Sequence, residues 1–136
     1  MPKLFELNIF TPERLFFSDQ VEALTVLLPD GGITFLADHI PFIAPVMVST
    51  IRIKKADGEW VEAFASEGFV DVHRDGVRLF VQTSEWPDEI DARRAEEAKI
   101  RAEELLRQKR SVSEYRKSKI DLARAMERLR VTKTKK

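Results

Sequence analysis

Apolar and polar residues alternate with a period of two along the first part of the chain. Phe5, Leu7 and Ile9 are separated by the polar residues Glu6 and Asn8. Successive side chains of a strand point to opposite faces of a sheet, so this alternation indicates a β-strand with one buried face.

Turn-forming residues divide the same region into short segments. An apolar run at residues 21–28 is followed by Pro29-Asp30-Gly31-Gly32, and Asp57-Gly58 and Asp75-Gly76 each stand between two alternating segments. Asp-Gly in this context is a strong signal for a β-hairpin. About eight to ten strands, with turns about every 8–12 residues, predict an antiparallel sandwich or a flattened barrel. No helical period interrupts the strands, and a parallel α/β sheet is therefore not expected.

The period becomes helical after Trp86-Pro87-Asp88. The apolar positions are Ala95, Ala98, Ala102, Leu105 and Leu106 in a first helix and Tyr115, Leu122, Met126 and Leu129 in a second. Acidic residues at positions 88, 89 and 91 favour the start of the first helix, and Ser111 with Glu114 fits a capping box for the second. Stripes this narrow and rich in alanine predict helices that pack closely as an antiparallel hairpin, but with marginal stability.

These two patterns predict an α+β chain, with an N-terminal antiparallel β-sandwich in residues 1–84 and a C-terminal two-helix antiparallel hairpin in residues 85–136. The segment that joins the helices, residues 107–113, contains neither Gly nor Pro. A permanent turn normally carries one of them. Without such a breaker, residues 91–131 could also form one helix of about 60 Å, so the sequence permits a compact and an extended arm. The alternative is an ordinary polar turn closed by the Ser111 cap.

The formal net charge is zero, but the charges are unevenly distributed. Residues 1–84 carry 7 Lys and Arg against 12 Asp and Glu, residues 85–106 carry 4 against 8, and residues 107–136 carry 12 against 3. A basic C-terminal segment on an acidic body is typical of a protein with an anionic partner, although a solvated helix face with a lysine-rich end would give the same pattern. No apolar run approaches the roughly 18 residues of a membrane span.

The sequence contains no recognisable catalytic set. Its two histidines, His39 and His73, lack a second histidine at metal-ligand spacing, and a structural or surface role is favoured for both. The five glycines suit turns, and none completes a phosphate-binding loop or a nucleophile elbow. The chain has no cysteine, which excludes disulfides and thiolate metal sites. We therefore expect a non-catalytic protein without a metal site.

One group of charged residues on the predicted helices points to a ligand. Asp91 and Arg94 are three residues apart and share a helix face, and Arg124 and Arg128, four apart, place like charges on one face. In a closed antiparallel hairpin the end of the second helix approaches the start of the first. The arginines would then meet and could hold a polyphosphate through bidentate hydrogen bonds.

Two further residues would suit such a site, since Arg101 adds a possible fourth guanidinium and Ala95 would leave room for a flat base. The alternative is ordinary salt bridging on the helix surface, for instance to Glu97 or Glu127, and the residues by themselves leave that alternative open.

Over nearly its whole length the chain also resembles a known family. The matching stretches are residues 32–41 (Gly-Ile-Thr-Phe-Leu-Ala-Asp-His-Ile-Pro), Ala44-Pro45, residues 67–72 (Glu-Gly-Phe-Val-Asp-Val), residues 90–95 (Ile-Asp-Ala-Arg-Arg-Ala) and residues 124–129 (Arg-Ala-Met-Glu-Arg-Leu). In this order and spacing they resemble the epsilon subunit of bacterial F-type ATP synthases. Residues 90–95 are similar to the ATP-binding pattern of that family.

The resemblance implies a sandwich of about ten strands followed by a helical hairpin. It also implies a non-catalytic subunit whose sandwich contacts the gamma subunit and the ring of membrane c subunits, with no nucleic-acid partner. An extended arm would reach between gamma and the alpha and beta subunits and inhibit ATP hydrolysis, and a folded arm would release that inhibition. The implied location is the cytoplasmic face of the bacterial cell membrane, with membrane contact only through the complex.

The resemblance implies, in addition, a regulatory ATP site on the folded hairpin. Carried over by position, it consists of Glu85, Ile90, Asp91, Arg94, Ala95, Arg101, Arg124 and Arg128. Arg94, Arg124 and Arg128 would face the phosphates, with Arg101 less firmly assigned, and the other four residues would surround the adenine. A role for magnesium stays open. Pro87 departs from the family pattern, and it constrains the backbone between Glu85 and the first helix.

A second interpretation comes from the residues alone. It is a β-sandwich binding module whose basic helical arm binds nucleic acid or another anionic partner. The two predicted helices offer only Tyr115 as an aromatic residue for base stacking, which counts against this interpretation. Salt-sensitive binding to nucleic acid at physiological ionic strength would favour it.

Overall fold

The computed structural model describes residues 2–108 and 111–133 of the chain. The chain divides into two compact units, one ending at Glu85 and one beginning at Trp86. The sequence pattern predicts this boundary one residue earlier, between residues 84 and 85. Strands make up the first unit and helices the second, so the α+β class predicted from the two periods is confirmed.

The first unit contains nine strands within the described residues. They are β1 (Phe5–Phe10), β2 (Leu15–Leu28), β3 (Gly31–Phe35), β4 (Phe42–Val46), β5 (Ser49–Lys55), β6 (Trp60–Ala65), β7 (Gly68–His73), β8 (Gly76–Val81) and β9 (Ser84–Glu85). The alternation of buried and polar positions that the sequence predicts for residues 5–9 is present in β1, because Phe5, Leu7 and Ile9 are all buried. Apolar side chains from the inner faces of the other strands complete the core.

The strands follow the order β4-β7-β8-β1-β2-β5-β6-β9, with β3 also paired to β2. The long strand β2 belongs to both layers of the sandwich, since its first half pairs with β1 and its second half with β3 and β5. The described pairs are antiparallel except β1 with β8, where Leu7 lies opposite Val77 in a parallel register. The alternation along each strand did not predict this pair, because it carries no information about which distant strands become neighbours.

Both hairpins predicted from Asp-Gly are present. Asp57-Gly58 lies in the turn between β5 and β6, where Gly58 has a φ of 88° that favours glycine. Between β7 and β8 the turn is formed one residue earlier than expected, at Arg74-Asp75, and Gly76 begins β8. A Cβ atom at Gly76 would lie 2.2 Å from the carbonyl oxygen of Glu6, so the close approach of β1 requires glycine there.

The second unit consists of a 3₁₀ turn (Pro87–Glu89), α1 (Ala92–Gln108) and α2 (Val112–Lys133). The predicted acidic first turn of the first helix is wrong in part, because positions 88 and 89 lie in the 3₁₀ turn and the first turn of α1 has no acidic residue. Two features separate the turn from α1. The backbone of Ile90 is extended, with φ −86° and ψ 126°, and the carboxylate of Glu89 accepts a hydrogen bond from the backbone N–H of Trp86 at 2.9 Å.

The two helices contact each other and run antiparallel. Three residues join them, which are too few to lead back to the start of α1, and α2 also contacts the 3₁₀ turn that precedes α1. Ser111 caps α2, since its Oγ accepts the N–H of Glu114 at 3.1 Å. Lys109 and Arg110 lie outside the described residues, so the second conformation of the link stays a prediction.

Small side chains form the contact between the helices. The buried residues of the hairpin are Ala95, Ala102, Ser118, Ala125 and Val131. The apolar stripe predicted for the second helix is wrong in part, because Tyr115 and Met126 are 45% and 51% exposed. On each helix two small buried residues lie seven positions apart, Ala95 and Ala102 on α1 and Ser118 and Ala125 on α2. Small side chains at these positions allow the two helix backbones to approach each other. Neither helix of the described residues is sufficiently long and apolar to span a membrane.

Candidate functional site

Asp91 organises the start of α1. Its Oδ1 accepts the backbone N–H of Arg94 at 3.1 Å, and its carbonyl oxygen accepts that of Ala95 at 3.0 Å. Asp91 is therefore the N-cap of α1, which also explains why a short acidic side chain suits this position. An ionised carboxylate offers about four lone-pair sites, so this hydrogen bond leaves Asp91 capacity to accept from a ligand.

The axial level of each residue follows from the length of the helices. Counted from the facing ends of α1 and α2 at about 1.5 Å per residue, Ala95 is level with Ala125, and Ala102 is level with Ser118. All four side chains are buried, which agrees with this alignment. The hairpin thus has two layers of small residues, separated by about 10 Å along the axis.

The same count brings three of the predicted phosphate-facing arginines to one end of the hairpin. Along the hairpin axis, the level of Arg94 falls midway between the levels of Arg124 and Arg128, about 3 Å from each. Asp91 is within about 2 Å of the level of Arg128. Arg101 is two turns further from this end, about 10 Å from Arg94, and stands apart from the other three.

The three arginines also lie on the same side of the helix pair. Arg94 and Arg124 each immediately precede one of the facing alanines, and Arg128 follows Ala125 by three residues. In an antiparallel pair of right-handed helices, residues that precede facing positions lie on the same side of the pair. Arg128 lies on that side as well, because a step of three residues rotates by nearly the same angle as a step of one backward.

The surroundings of these arginines differ. The side chain of Arg94 is exposed and has no ion pair among the residues that the structure describes. Arg124 and Arg128 are half-buried, and the Nε atom of Arg124 is buried. Glu97 contacts Arg93 at 3.4 Å, and Glu127 contacts Arg130 at 3.6 Å. Arg124, Glu127 and Arg128 also take part in further interactions, so salt bridging on the helix surface stays open as the alternative for these two arginines.

The remaining predicted site residues have clear structural positions. Ala95 is 5% exposed and, by the count above, level with the buried Ala125 of α2, so we infer that its small size serves helix packing. Ile90 is half-buried between the 3₁₀ turn and α1. Glu85 ends β9 and belongs to the first unit, where it lies opposite Phe64 in the β6–β9 pair. Within the described residues, no three His, Asp or Glu side chains are grouped to hold a metal ion.

One surface feature of the first unit was not found from the sequence. Phe69, Phe80 and Phe10 form an aromatic row across β7, β8 and β1, with ring centroids 4.9 and 5.1 Å apart and interplanar angles of 20° and 17°. Phe69 is 46% exposed and lies on the outer face of the sheet. The predicted β7–β8 hairpin could have paired Phe69 with Phe80, but Phe10 joins them through the unpredicted parallel pair.

Comparisons with known proteins cover both units of the chain. The family described as "ATP synthase, Delta/Epsilon chain, beta-sandwich domain" matches residues 4–87, and "ATP synthase, Delta/Epsilon chain, long alpha-helix domain" matches residues 88–133. The chain is 48% identical over 132 residues to the ATP synthase epsilon chain of Caldanaerobacter subterraneus subsp. tengcongensis, covering 96% of this chain and 95% of that one. It is 45% identical over 128 residues to the epsilon chain of Ruminiclostridium cellulolyticum, covering 94% and 95%.

A solved structure shares the fold. A chain in the Euglena gracilis mitochondrial ATP synthase structure, which contains OSCP, F1 and the c-ring, superposes with a TM-score of 0.80 at 18% identity, covering 93% of this chain and 80% of that chain. Both domain types, their order and their lengths therefore agree with the fold described above. The chain belongs to the family of ATP synthase epsilon chains.

Proposed function

We propose that the chain is the non-catalytic epsilon subunit of a bacterial F-type ATP synthase and regulates ATP hydrolysis through its helical arm. The observation that carries this proposal is the family similarity across both units, at up to 48% identity with a bacterial epsilon chain. The proposed location is the cytoplasmic face of the cell membrane, and the proposed partners are the gamma subunit, the c-ring and the alpha and beta subunits.

The aromatic row is the surface that we assign to a rotor partner. Three stacked phenyl rings on the outer face of a sheet are more apolar than a solvent-exposed strand normally is. Pro45 lies opposite Phe69, and Leu15 lies opposite Phe10, so the apolar strip continues across five strands. Aromatic side chains are typical of the centre of protein–protein interfaces. Co-purification with the gamma subunit tests this assignment.

The arm is suited to changing its conformation. Its helices meet through alanine and serine, which bury little apolar area, and apolar residues such as Ile120 and Val112 remain exposed on α2. A hairpin that buries little surface is marginally stable. An acidic partner site on the complex would favour an extended arm, since residues 107–136 carry 12 basic against 3 acidic residues.

ATP is the ligand that we assign to the compact arm. Arg94, Arg124 and Arg128 share one end and one side of the hairpin, and guanidinium groups are the strongest bidentate partners for phosphate. In an extended arm Arg94 and Arg124 would be about 45 Å apart, so no such cluster would exist. Binding only the compact state would stabilise it by about 2.7 kcal/mol at a hundredfold excess of ATP over Kd.

The test is calorimetric titration of ATP into the isolated full-length chain. We expect Asp91→Ala combined with Arg94→Ala to abolish ATP binding, because this removes the helix cap and one guanidinium of the cluster. Arg93→Ala is the matched control, since Arg93 is exposed on the same turn and pairs with Glu97 instead. Unchanged affinity in the double variant would remove the site assignment and leave the rotor role standing.

A further inference from the structure

A cavity of about 520 Å³ opens on the β-sandwich beside the turn between β5 and β6. Its lining residues are Pro2, Lys3, Glu22, Ala23, Thr34, Leu36, Ala37, Asp38, Lys54 and Trp60. All of them belong to the first unit. Its volume lies within the range of sites that hold small organic molecules, about 300–1,000 Å³.

Glu22 is the unusual residue of this cavity. Val21 lies opposite Lys55 while Ala23 lies opposite Lys54, so Glu22 is the extra residue of a β-bulge in β2. Bulges re-aim a side chain, and here the bulge gives the cavity a carboxylate. The residue is 8% exposed, and its Oε2 lies beside the turn, 3.8 Å from the position that a Cβ atom at Gly58 would occupy.

The carboxylate of Glu22 has no hydrogen-bond or ion-pair partner in the described part of the chain. A buried carboxylate without a partner is unfavourable, because burial removes water that the charge would otherwise bind. The other acid of the cavity is already neutralised, since Asp38 pairs with Lys3 at 2.5 Å. Among the residues that the structure describes, the negative charge of Glu22 is therefore left without a partner.

The rest of the wall is apolar and aromatic. Leu36 is 59% exposed and Trp60 is 42% exposed, and both face the cavity. Trp60 attracts cations, since the guanidinium of Arg52 lies 5.1 Å and the ammonium of Lys54 lies 6.0 Å from its ring centroid. A hydrocarbon group could pack on these side chains while a cationic end reaches the carboxylate.

We propose that this cavity binds a small organic amine, with its ammonium group held by Glu22 and its apolar body packed against Leu36 and Trp60. An ammonium donates three hydrogen bonds and satisfies the charge of the carboxylate in the same step. An anionic ligand would instead be repelled by Glu22 and Asp38, and the two lysines of the wall already contact other groups, Lys3 with Asp38 and Lys54 with the Trp60 ring. The lining residues all lie outside the arm to which ATP is assigned.

Three probes of equal shape separate these chemistries. Cyclohexylammonium, cyclohexanol and cyclohexanecarboxylate are titrated, in an amine-free buffer, into the full-length chain carrying Trp86→Phe, so that Trp60 is the fluorophore. We expect a saturable change in fluorescence with cyclohexylammonium and at least tenfold weaker binding of the other two, as loss of a charged hydrogen bond implies. Equal or tighter binding of the alcohol or the carboxylate, or no saturable binding of the amine, would overturn the proposal.

Two substitutions connect the binding to the carboxylate. Glu22→Gln should weaken binding of cyclohexylammonium about tenfold or more, whereas Glu62→Gln, on β6 and outside the cavity, should leave it unchanged. Leu36 is exposed, so its substitution does not threaten folding. Leu36→Lys and Leu36→Glu both remove an apolar contact, but the added positive charge should weaken binding of cyclohexylammonium at least tenfold more than the added negative charge does. Equal affinity in the two Leu36 variants would contradict the assignment even if Glu22→Gln failed to fold.

Discussion

Replacing Ala125 by leucine tests the packing that closes the arm. Ala125 is 1% exposed and lies level with Ala95, which is 5% exposed, so the two helix backbones approach closely at this layer. A larger side chain there must separate the helices or take a strained rotamer, at about 1–3 kcal/mol. At about 1.4 kcal/mol per factor of ten, the ratio of closed to open arm should fall by roughly fivefold to more than a hundredfold.

The chain has no cysteine, so a pair of introduced cysteines reports the arm directly. Glu96 and Lys119 are exposed, one on each helix. Their Cα atoms should be about 12 Å apart in the closed hairpin, but about 35 Å apart in one continuous helix. Spin labels at these positions, measured by pulsed electron paramagnetic resonance, should show the short distance in the parent and a larger share of long distances in Ala125→Leu.

The matched control is Ala123→Leu, the same change at an exposed position of the same helix. It should keep the short distance of the parent. ATP affinity should fall in Ala125→Leu by the same factor as the closed fraction, because only the closed arm is competent to bind. If both variants give the parental distances and the parental ATP affinity, the close packing of α1 and α2 does not determine the state of the arm.

Two further predictions concern the elements that support the two units. Gly68→Ala should destabilise the sandwich by several kcal/mol in urea unfolding, because the new Cβ would lie 1.8 Å from the carbonyl oxygen of Phe80. The control Gly32→Ala should cost less than about 1 kcal/mol, because the nearest atom to its Cβ lies at 3.9 Å. Similar urea midpoints for the two variants would contradict the argument. Ser111→Ala should reduce the stability of α2 by about 1 kcal/mol, measured by thermal unfolding followed by circular dichroism, whereas Ser111→Asp should retain the cap. Equal stability of the two variants would show that the Ser111 cap is unimportant.

Part of the candidate site could be recognised from residue types and spacing alone. Asp91 with Arg94, and Arg124 with Arg128, stand at distances that share a helix face, and an antiparallel hairpin then brings them to one end. The separation of Arg101 from Arg94 follows from their spacing of seven residues on one helix, but its distance from Arg124 and Arg128 could not be read from spacing, because it depends on where the two helices begin and end. The packing role of Ala95 also required the alignment of α1 with α2.

The β-bulge at Glu22 shows a different kind of limit. In the sequence this glutamate interrupts an apolar run, and nothing in the run indicates that its carboxylate is buried. The bulge arises from the pairing of β2 with β5, which are separated by the β3 and β4 segments along the chain. The cavity that it lines is likewise built from five separate segments.

The sequence by itself determined the class of each element, the two Asp-Gly hairpins, the Ser111 cap and the separation into a strand half and a helix half. These are properties of neighbouring residues, since periodicity, turns and caps act within a few positions of the chain. Only the tertiary structure decided that β1 lies parallel to β8, that alanine and serine rather than Tyr115 and Met126 form the helix contact, and that Glu22 is buried. Each of these depends on which distant segments pack together, and that choice is made by shape and burial over the whole fold, which no local pattern records.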